Sequence, residues 1–278
     1  LEGTGRRRRE PSPHGIWIAW TGSAGRHMIS VCMATYNGER WIQIQLRSVL
    51  SQLGENDELV LVDDVSSDNT LAEAGDLRDD RIRVYRNERN RGVDWTYQRA
   101  LSLARGDVLF LCDQDDVWYP GKVTRVMQAF GEHPDATLVL SDAQIIDSQG
   151  RVVAPSYFGI RGSFVPGVLA NIVKSKFLGC AMAVRSGMRD RFLPFPARIP
   201  GHDMWIGVVN EFYGKTCFIA EPLIGYRRHG DNASPEHRQG LAQMLIWRWQ
   251  LTAGLMTRVG MHAMQRLLQH QAGSRGAE

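Results

Sequence analysis

The sequence predicts an α/β fold built on an open, mostly parallel sheet flanked by helices, and three observations predict it. From residue 29 short apolar, β-rich runs alternate with stretches of helical periodicity. The runs end in polar, often acidic, residues, as expected where strands of an open sheet deliver side chains to one edge. The chain of 278 residues, 43% hydrophobic and 23% charged, is long and apolar enough for one large core.

Taken in order, Ile29–Ala34 reads as the first strand, and residues 39–53 carry Trp41, Ile42, Leu46, Val49, Leu50 and Leu53 at helical spacing. Leu59–Val62 is the second strand. Ser66-Ser67-Asp68 then offers N-cap chemistry for a short helix through Leu77. Ile82–Tyr85 and Val108–Cys112 are the third and fourth strands, with a helix over Val93–Ala104 between them. A helix over Lys122–Phe130 follows Pro120, and Thr137–Leu140 is the fifth strand, extending the parallel array. After Asp147-Ser148-Gln149-Gly150 the alternation weakens and Pro and Gly become frequent. Gln239–His270 is apolar and helical, with Arg248, Arg258 and Arg266 interleaved; it reads first as a pair of docked helices and second as a contact with a membrane surface.

These patterns divide the chain into a segment that is either a disordered leader or a mistranslated stretch upstream of Met28 (1–27), a nucleotide-sugar-binding half (28–142), an acceptor-binding half of the same domain (143–237) and a C-terminal helical extension (238–278). The leader holds the only dense basic run, Arg6-Arg7-Arg8-Arg9. The net charge of +3 arises from 33 basic and 30 acidic residues, so no nucleic-acid partner is expected. Cys32, Cys112, Cys180 and Cys217 have no metal-ligand spacing and read as reduced thiols of a cytoplasmic protein. No apolar run reaches the roughly 18 residues of a membrane span.

The strand ends carry the chemistry: Thr35-Tyr36-Asn37, Asp63-Asp64, Arg86-Asn87, Asp113-Gln114-Asp115-Asp116 and Ser141-Asp142. Three carboxylates within four residues repel one another unless a cation compensates them. Oxygen donors favour Mg²⁺ or Mn²⁺, ions that retain positions for a substrate diphosphate. The competing reading is an acidic turn capping the next helix, and for Asp63-Asp64 an N-cap cluster with Ser66 and Ser67 stands equally.

Together these motifs resemble the inverting family 2 glycosyltransferases with the GT-A fold, over roughly residues 29–232. The resemblance implies that the strand ending in Thr35 and Tyr36 lies against a nucleotide base, that Asp64 accepts from the N3–H of a uracil or thymine, and that Asn90-Arg91-Gly92 borders base and diphosphate. It implies Asp113 near the ribose or metal and Asp115 as direct metal ligand. Gly201-His202-Asp203-Met204-Trp205 resembles the acceptor-side motif holding the catalytic base, here Asp203, with His where the family usually has Glu. That replacement, with Gln114-Asp115-Asp116-Val117-Trp118 and Tyr226-Arg227-Arg228-His229-Gly230-Asp231-Asn232, is similar to a rhamnosyltransferase-like branch. His229 is a third metal or diphosphate contact, or a loop histidine; Asp203 alternatively caps a helix with His202 as bystander.

The expected activity is thus metal-dependent, inverting transfer of a sugar, rhamnose by resemblance, from a dTDP- or UDP-sugar to a hydroxyl of a saccharide or lipid-linked saccharide of a cell-surface glycan. Competing readings are a nucleotidyltransferase, disfavoured because Asn37-Gly38-Glu39-Arg40 has a single glycine and forms no phosphate loop, and a sugar-nucleotide-binding module without turnover. Loss of the acids would mark the latter, and Asp113, Asp115 and Asp203 are present.

Overall fold

The computed structural model describes residues 27–230 and 240–275, with side chains placed through residue 265. The leader through Arg26, and Asp231 and Asn232, lie outside the described residues. The first half runs β1 (Ile29–Thr35), α1 (Ile42–Leu50), β2 (Glu58–Asp63), α2 (Thr70–Gly75), β3 (Ile82–Arg86), α3 (Val93–Leu103) and β4 (Val108–Asp113). Short β5 (Val117–Trp118) and α4 (Lys122–Glu132) lead to β6 (Leu138–Ile146). The second half adds β7 (Val152–Ala154), α5 (Tyr157–Arg161), α6 (Val168–Val173), β8 (Met182–Arg185), α7 (Arg189–Phe192), α8 (His202–Tyr213), β9 (Thr216–Arg227) and α9 (Leu241–Arg275).

Among the described residues one mixed sheet forms, in the order β3-β2-β1-β4-β8-β6-β9-β5, with β7 on β6. The stretch β3-β2-β1-β4 is parallel throughout. Its inner strands β2, β1 and β4 are the continuous apolar runs that a sheet covered on both faces demands, with Val31, Met33, Leu59, Leu61, Phe110 and Leu111 fully buried, whereas the edge strand β3 is partly exposed. Beyond β4 the sheet changes character, because β8 inserts antiparallel between β4 and β6. The fifth strand therefore does not extend the parallel array as the sequence predicts; it pairs in parallel with β9 instead.

That strand also runs on past Leu140, so Ser141-Asp142 sits inside β6 and not at its tip. Asp142 is buried, accepting from the Ser156 hydroxyl and, at 3.2 Å, from Phe158 N–H, which pins α5 onto the sheet. The N-cap expected at Ser66-Ser67-Asp68 is likewise displaced, since α2 begins at Thr70. Asp68 binds the Thr70 N–H at 3.0 Å, while Ser66 and Ser67 bond Asn37 across the neighbouring loop. The C-terminal pair of helices is a single 35-residue helix, docked by Leu251, Leu255 and Arg258. Its exposed residues include Trp249, 72% accessible. The four cysteines are free, three of them buried.

Candidate active site at the carboxyl edge of the sheet

The tips of β1 and β4 are fastened by Gln114, to which sequence reasoning gave no role. Its Oε1 accepts from the Tyr36 N–H at 2.9 Å and the Thr35 hydroxyl at 2.5 Å, and its Nε2 donates to the Tyr36 carbonyl at 3.0 Å. The side chain thus copies a strand backbone and extends the ladder by one rung. A Cβ on Gly38 would lie 2.3 Å from Gln114 Oε1, so a larger residue there would push the Gln114 amide out of its latch. Thr35 is consumed in this latch and buried, whereas Tyr36 stays 48% exposed and offers its ring to a flat ligand.

Past β4 the acids separate into distinct environments. Asp113 Oδ1 accepts from the Tyr97 hydroxyl at 2.5 Å; burial, then the neighbouring Asp115 charge, pushes its pKa up. Asp116 is fully buried and takes the Arg227 N–H at 2.8 Å on Oδ1, while Oδ2 has no partner among the described residues. Burial first, then Asp115 and Asp113, holds its carboxyl far above the usual range. Asp115 Oδ2 lies 2.8 Å from His229 Nε2, and its backbone carbonyl accepts from Arg227 Nε at 2.6 Å. His229 packs on Trp41, ring centroids 4.2 Å apart. Trp41 and Arg227 are further site residues that the sequence did not single out; the end of β9 carries Arg227 and His229 to the acidic loop.

This donor set fits a hard divalent cation. Repelling carboxylates and an orphaned buried oxygen are relieved by a positive charge, and the carboxylate oxygens suit Mg²⁺ or Mn²⁺, of which Mn²⁺ better tolerates an imidazole beside them. Asp113, Asp116 and Cys180 also bring one ligand atom each within 4.8 Å of one another. Burial holds the Cys180 thiol well above its usual pKa, which keeps it protonated and makes it a poor ligand for those ions.

The two aspartates after β2 divide their work. Asp63 accepts from the Ser66 N–H at 3.0 Å and folds the turn behind Val65. Asp64 reaches sideways: it takes the Arg91 N–H at 2.9 Å, the Gly92 N–H at 2.8 Å and Asn87 Nδ2 at 2.6 Å. The carboxylate therefore holds the exposed Asn90-Arg91-Gly92 loop in place, with Gly92 at φ +84°, a left-handed conformation that glycine accepts freely. Neither aspartate caps α2.

On the acceptor side α8 begins at His202 with Gly201 as its N-cap residue. Asp203 lies within the first turn and not at the cap; Oδ1 takes the Met204 N–H at 2.7 Å. Burial raises its pKa, against the lowering effect of His202. Two other acids of this half, Glu211 and Asp190, are poorly placed to act as a base. Glu211 is spent on the Gly167 N–H and the Thr216 hydroxyl, and Asp190 is exposed on α7. His202 stacks on Tyr97, centroids 4.0 Å apart, and Tyr97 in turn bonds Asp113. This stack joins Asp203 to the acidic loop. Thr35, Tyr36, Asp113, Asp115 and His229 thus gather at one edge, Asp64 with Asn90, Arg91 and Gly92 forms an adjoining wall, and Asp203 reaches the cluster through His202 and Tyr97.

The sequence profile of glycosyl transferase family 2 matches residues 30–191, more than half of the chain. An uncharacterized glycosyltransferase of Nostoc sp., alr2836, is 28% identical over 215 residues, covering 73% of this chain and 66% of its own. The Escherichia coli UDP-Glc:alpha-D-GlcNAc-diphosphoundecaprenol beta-1,3-glucosyltransferase WfgD is 26% identical over 193 residues, 66% of this chain and 71% of its own. The match to the Nostoc relative thus spans about two thirds of that protein's length. Among solved structures, S. aureus TarS 1-349 in complex with UDP-GlcNAc superposes with a TM-score of 0.63 at 20% identity, covering 83% of this chain and 72% of that one, which shows a shared GT-A fold.

Proposed function

This chain belongs to glycosyl transferase family 2, and from that premise we propose that it moves a sugar from a dTDP- or UDP-sugar onto a saccharide hydroxyl with inversion, supported by Mg²⁺ or Mn²⁺. The observation that carries the reading is the convergence of Asp115 and His229, 2.8 Å apart, beside buried Asp113 and Asp116 at the strand tips. Asp115, Asp113 and His229 would hold the cation. Bound there, it supplies positive charge against the departing diphosphate.

The remaining roles fall to the chain itself. Tyr36 presents an open ring to the base, and Asp64 shapes the wall over the base and diphosphate by fixing the Arg91 and Gly92 amides. Asp203 takes the proton from the attacking acceptor hydroxyl; its raised pKa makes it a stronger base than a solvated carboxylate. Attack from the face opposite the leaving group inverts the anomeric centre in one displacement. No side chain need bond to the sugar.

Rhamnose as the transferred sugar is supported by resemblance of the motifs around Gln114-Asp115-Asp116 and His202-Asp203, and a lipid-linked saccharide as acceptor by the diphosphoundecaprenol-linked GlcNAc on which WfgD acts. None of the helices in the described residues is long and apolar enough to cross a membrane. α9 instead lines its open face with Leu241, Leu245, Trp249 and Met256, and its sequence holds no acidic residue from Leu241 to Arg275. We assign this face to peripheral contact with anionic lipid at the cytoplasmic membrane surface. A thermal-shift panel of UDP, dTDP and GDP sugars, each with and without Mn²⁺, tests the proposal. A specific donor raises the melting temperature by mass action, and a panel with no shift overturns the reading.

A further inference from the structure

α5 is short but firmly seated. The Ser156 hydroxyl accepts from the Gly159 N–H at 2.7 Å and donates to Asp142, which also takes the Phe158 N–H, so the first turn is tied to β6. That seat brings Tyr157 to the end of β9, where its ring meets Tyr226 edge to face with centroids 5.9 Å apart. Each tyrosine carries an arginine. The Arg161 guanidinium lies 5.6 Å from the Tyr157 ring centroid, and that of Arg228 lies 5.8 Å from the Tyr226 centroid while donating to its hydroxyl at 3.0 Å.

This row of two rings and two cations stands where the halves of the site meet. β9 packs on the turn Gly179–Ala181. A Cβ on Gly179 would lie 3.5 Å from that of Asp203, and the Cys180 thiol comes within 4.8 Å of carboxylate oxygens of Asp113 and Asp116. The same neighbours act on the tyrosines. Burial raises the pKa of both hydroxyls; Arg161 then lowers and Asp203 raises that of Tyr157, while Cys180 and Asp116 raise that of Tyr226 against Arg228. Tyr157 is thus within electrostatic reach of the proposed base, and Tyr226 of the acidic loop.

The two cations are open and unmatched. Arg161 is exposed and Arg228 half-buried, and among the described residues neither forms an ion pair with a carboxylate. The Arg228 N–H bonds the last carbonyl of β6, Ile146, and on the turn that follows Arg151 is by contrast matched to Asp147 at 2.8 Å. A guanidinium already held on an aromatic face needs little further ordering to take an oxyanion, and its planar fork suits phosphate and carboxylate alike.

We propose that Arg161 and Arg228 form an acceptor subsite for an acidic saccharide, one that carries a phosphate or carboxylate group beside the hydroxyl that is attacked. This deepens the transferase reading above and rests on it. Arg161 comes from α5, which contributes nothing to the strand tips that would hold the donor, so its ligand is the acceptor. Tyr157 and Tyr226 are positioning residues, acting through the arginines they carry. A neutral acceptor leaves both cations unmatched, and the subsite therefore selects for charge as well as for a sugar ring.

Calorimetric titration of the protein saturated with UDP and Mn²⁺ tests this with three compounds sharing one decyl tail: a neutral decyl GlcNAc α-glycoside, decyl GlcNAc-α-diphosphate and decyl glucuronide. The common tail cancels any contact with the apolar surface. Wild-type protein should bind one of the acidic compounds about ten-fold or more tightly than the neutral one, as hydrogen bonds to a charged group require. Preference for the diphosphate places the anion on the lipid linkage, and preference for the glucuronide places it on the sugar. Arg161→Ala and Arg228→Ala should each erase most of that preference and leave the neutral compound unchanged, while Arg161→Lys, which keeps the charge and loses the fork, retains part. Tyr157→Leu should weaken the acidic compound alone, and Tyr157→Phe, which keeps the ring under Arg161, should not. Equal binding of the three compounds by wild-type protein, binding of none, or a preference that survives both alanine variants overturns the proposal. So does an Arg161→Ala protein that loses UDP as steeply as acceptor, since the arginine then serves the donor. A wild-type protein that binds no UDP with Mn²⁺ overturns the donor reading beneath it before any acceptor is added.

Discussion

His229 Nε2 sits 2.8 Å from Asp115 Oδ2, two residues separated by 114 positions in the chain and joined by the arrival of β9 at the acidic loop. An imidazole and a carboxylate at that distance share a proton or a cation. If they share a cation, Asp115→Asn abolishes the metal-dependent part of turnover and leaves folding intact. Mn²⁺ and nucleoside diphosphate together then stabilise the wild-type protein more than the sum of each alone. Undiminished activity in Asp115→Asn, or purely additive stabilisation, removes Asp115 from the metal site.

The wall behind the nucleotide gives a second expectation. Asp64 is buried and already satisfies Arg91 N–H, Gly92 N–H and Asn87 Nδ2. The Arg91 N–H is shared between both oxygens, at 2.9 and 3.1 Å, so a further donor such as the N3–H of uracil or thymine is met by giving up the longer of these two contacts. Cytosine lacks that proton. CDP should therefore bind roughly ten-fold or more weakly than UDP, the cost of a buried acceptor losing its partner, about 1–3 kcal/mol. Equal affinities by calorimetry reduce Asp64 to a loop clamp. Asp64→Ala releases the Arg91 and Gly92 amides and leaves Asn87 Nδ2 short of a partner, and a lowered melting temperature is expected with either role.

The division between what could and could not be read in the sequence follows from range. β1, β2 and β4 and their helices were legible because each apolar run is local and covered, so periodicity reports burial directly, and the half-exposed β3 was legible from its alternation. The acids at their tips were legible for the same reason. Three features were not. Gln114 acts through bonds to residues 78 and 79 positions away, β8 enters between β4 and β6 from more than forty residues downstream, and Asp94, which takes the His202 N–H at 2.7 Å, looks like an ordinary first-turn acid of α3. Nothing local marks such pairings. Asp142 shows the converse error, since a polar residue after an apolar run resembles a strand tip even when the strand continues and buries it.

The exposed face of α9 leads to a third expectation. Leu245, Trp249 and Met256 stand one to two turns apart on the helix and are open to solvent. Burying such side chains contributes about 1.5–3 kcal/mol apiece. The protein should co-sediment with vesicles containing phosphatidylglycerol and much less with pure phosphatidylcholine, since α9 carries Arg248 and no acid. Trp249→Ser combined with Met256→Ser should cut the bound fraction several-fold without changing turnover of a soluble acceptor. Unchanged sedimentation of that variant, or a wild-type protein that sediments with neither vesicle but self-associates, rejects the membrane assignment.

The most exacting expectation concerns Asp203. Burial raises its pKa, so the native state holds its proton to a higher pH than the unfolded chain does. Stability attached to this group is greatest at low pH and declines as pH rises from the ordinary carboxylate value through the raised one. Asp203→Asn removes that decline, keeps the side-chain oxygen that takes the Met204 N–H, and should hold or slightly raise the melting temperature near neutral pH. Catalysis moves the other way. A base works only when deprotonated, so the wild-type rate should climb with pH along an acid limb lying above the ordinary carboxylate range, and loss of the His202 charge, which lowers the Asp203 pKa, should displace that limb further upward. In Asp203→Asn the transfer rate should fall by about 10²–10⁴-fold above that limb, the limb itself should vanish and the difference should shrink below it, with donor affinity unchanged. A variant that is both less stable and nearly as active would make Asp203 a helix-start residue, and Glu211 is then a weak successor, because both of its oxygens are already bonded to Gly167 and Thr216.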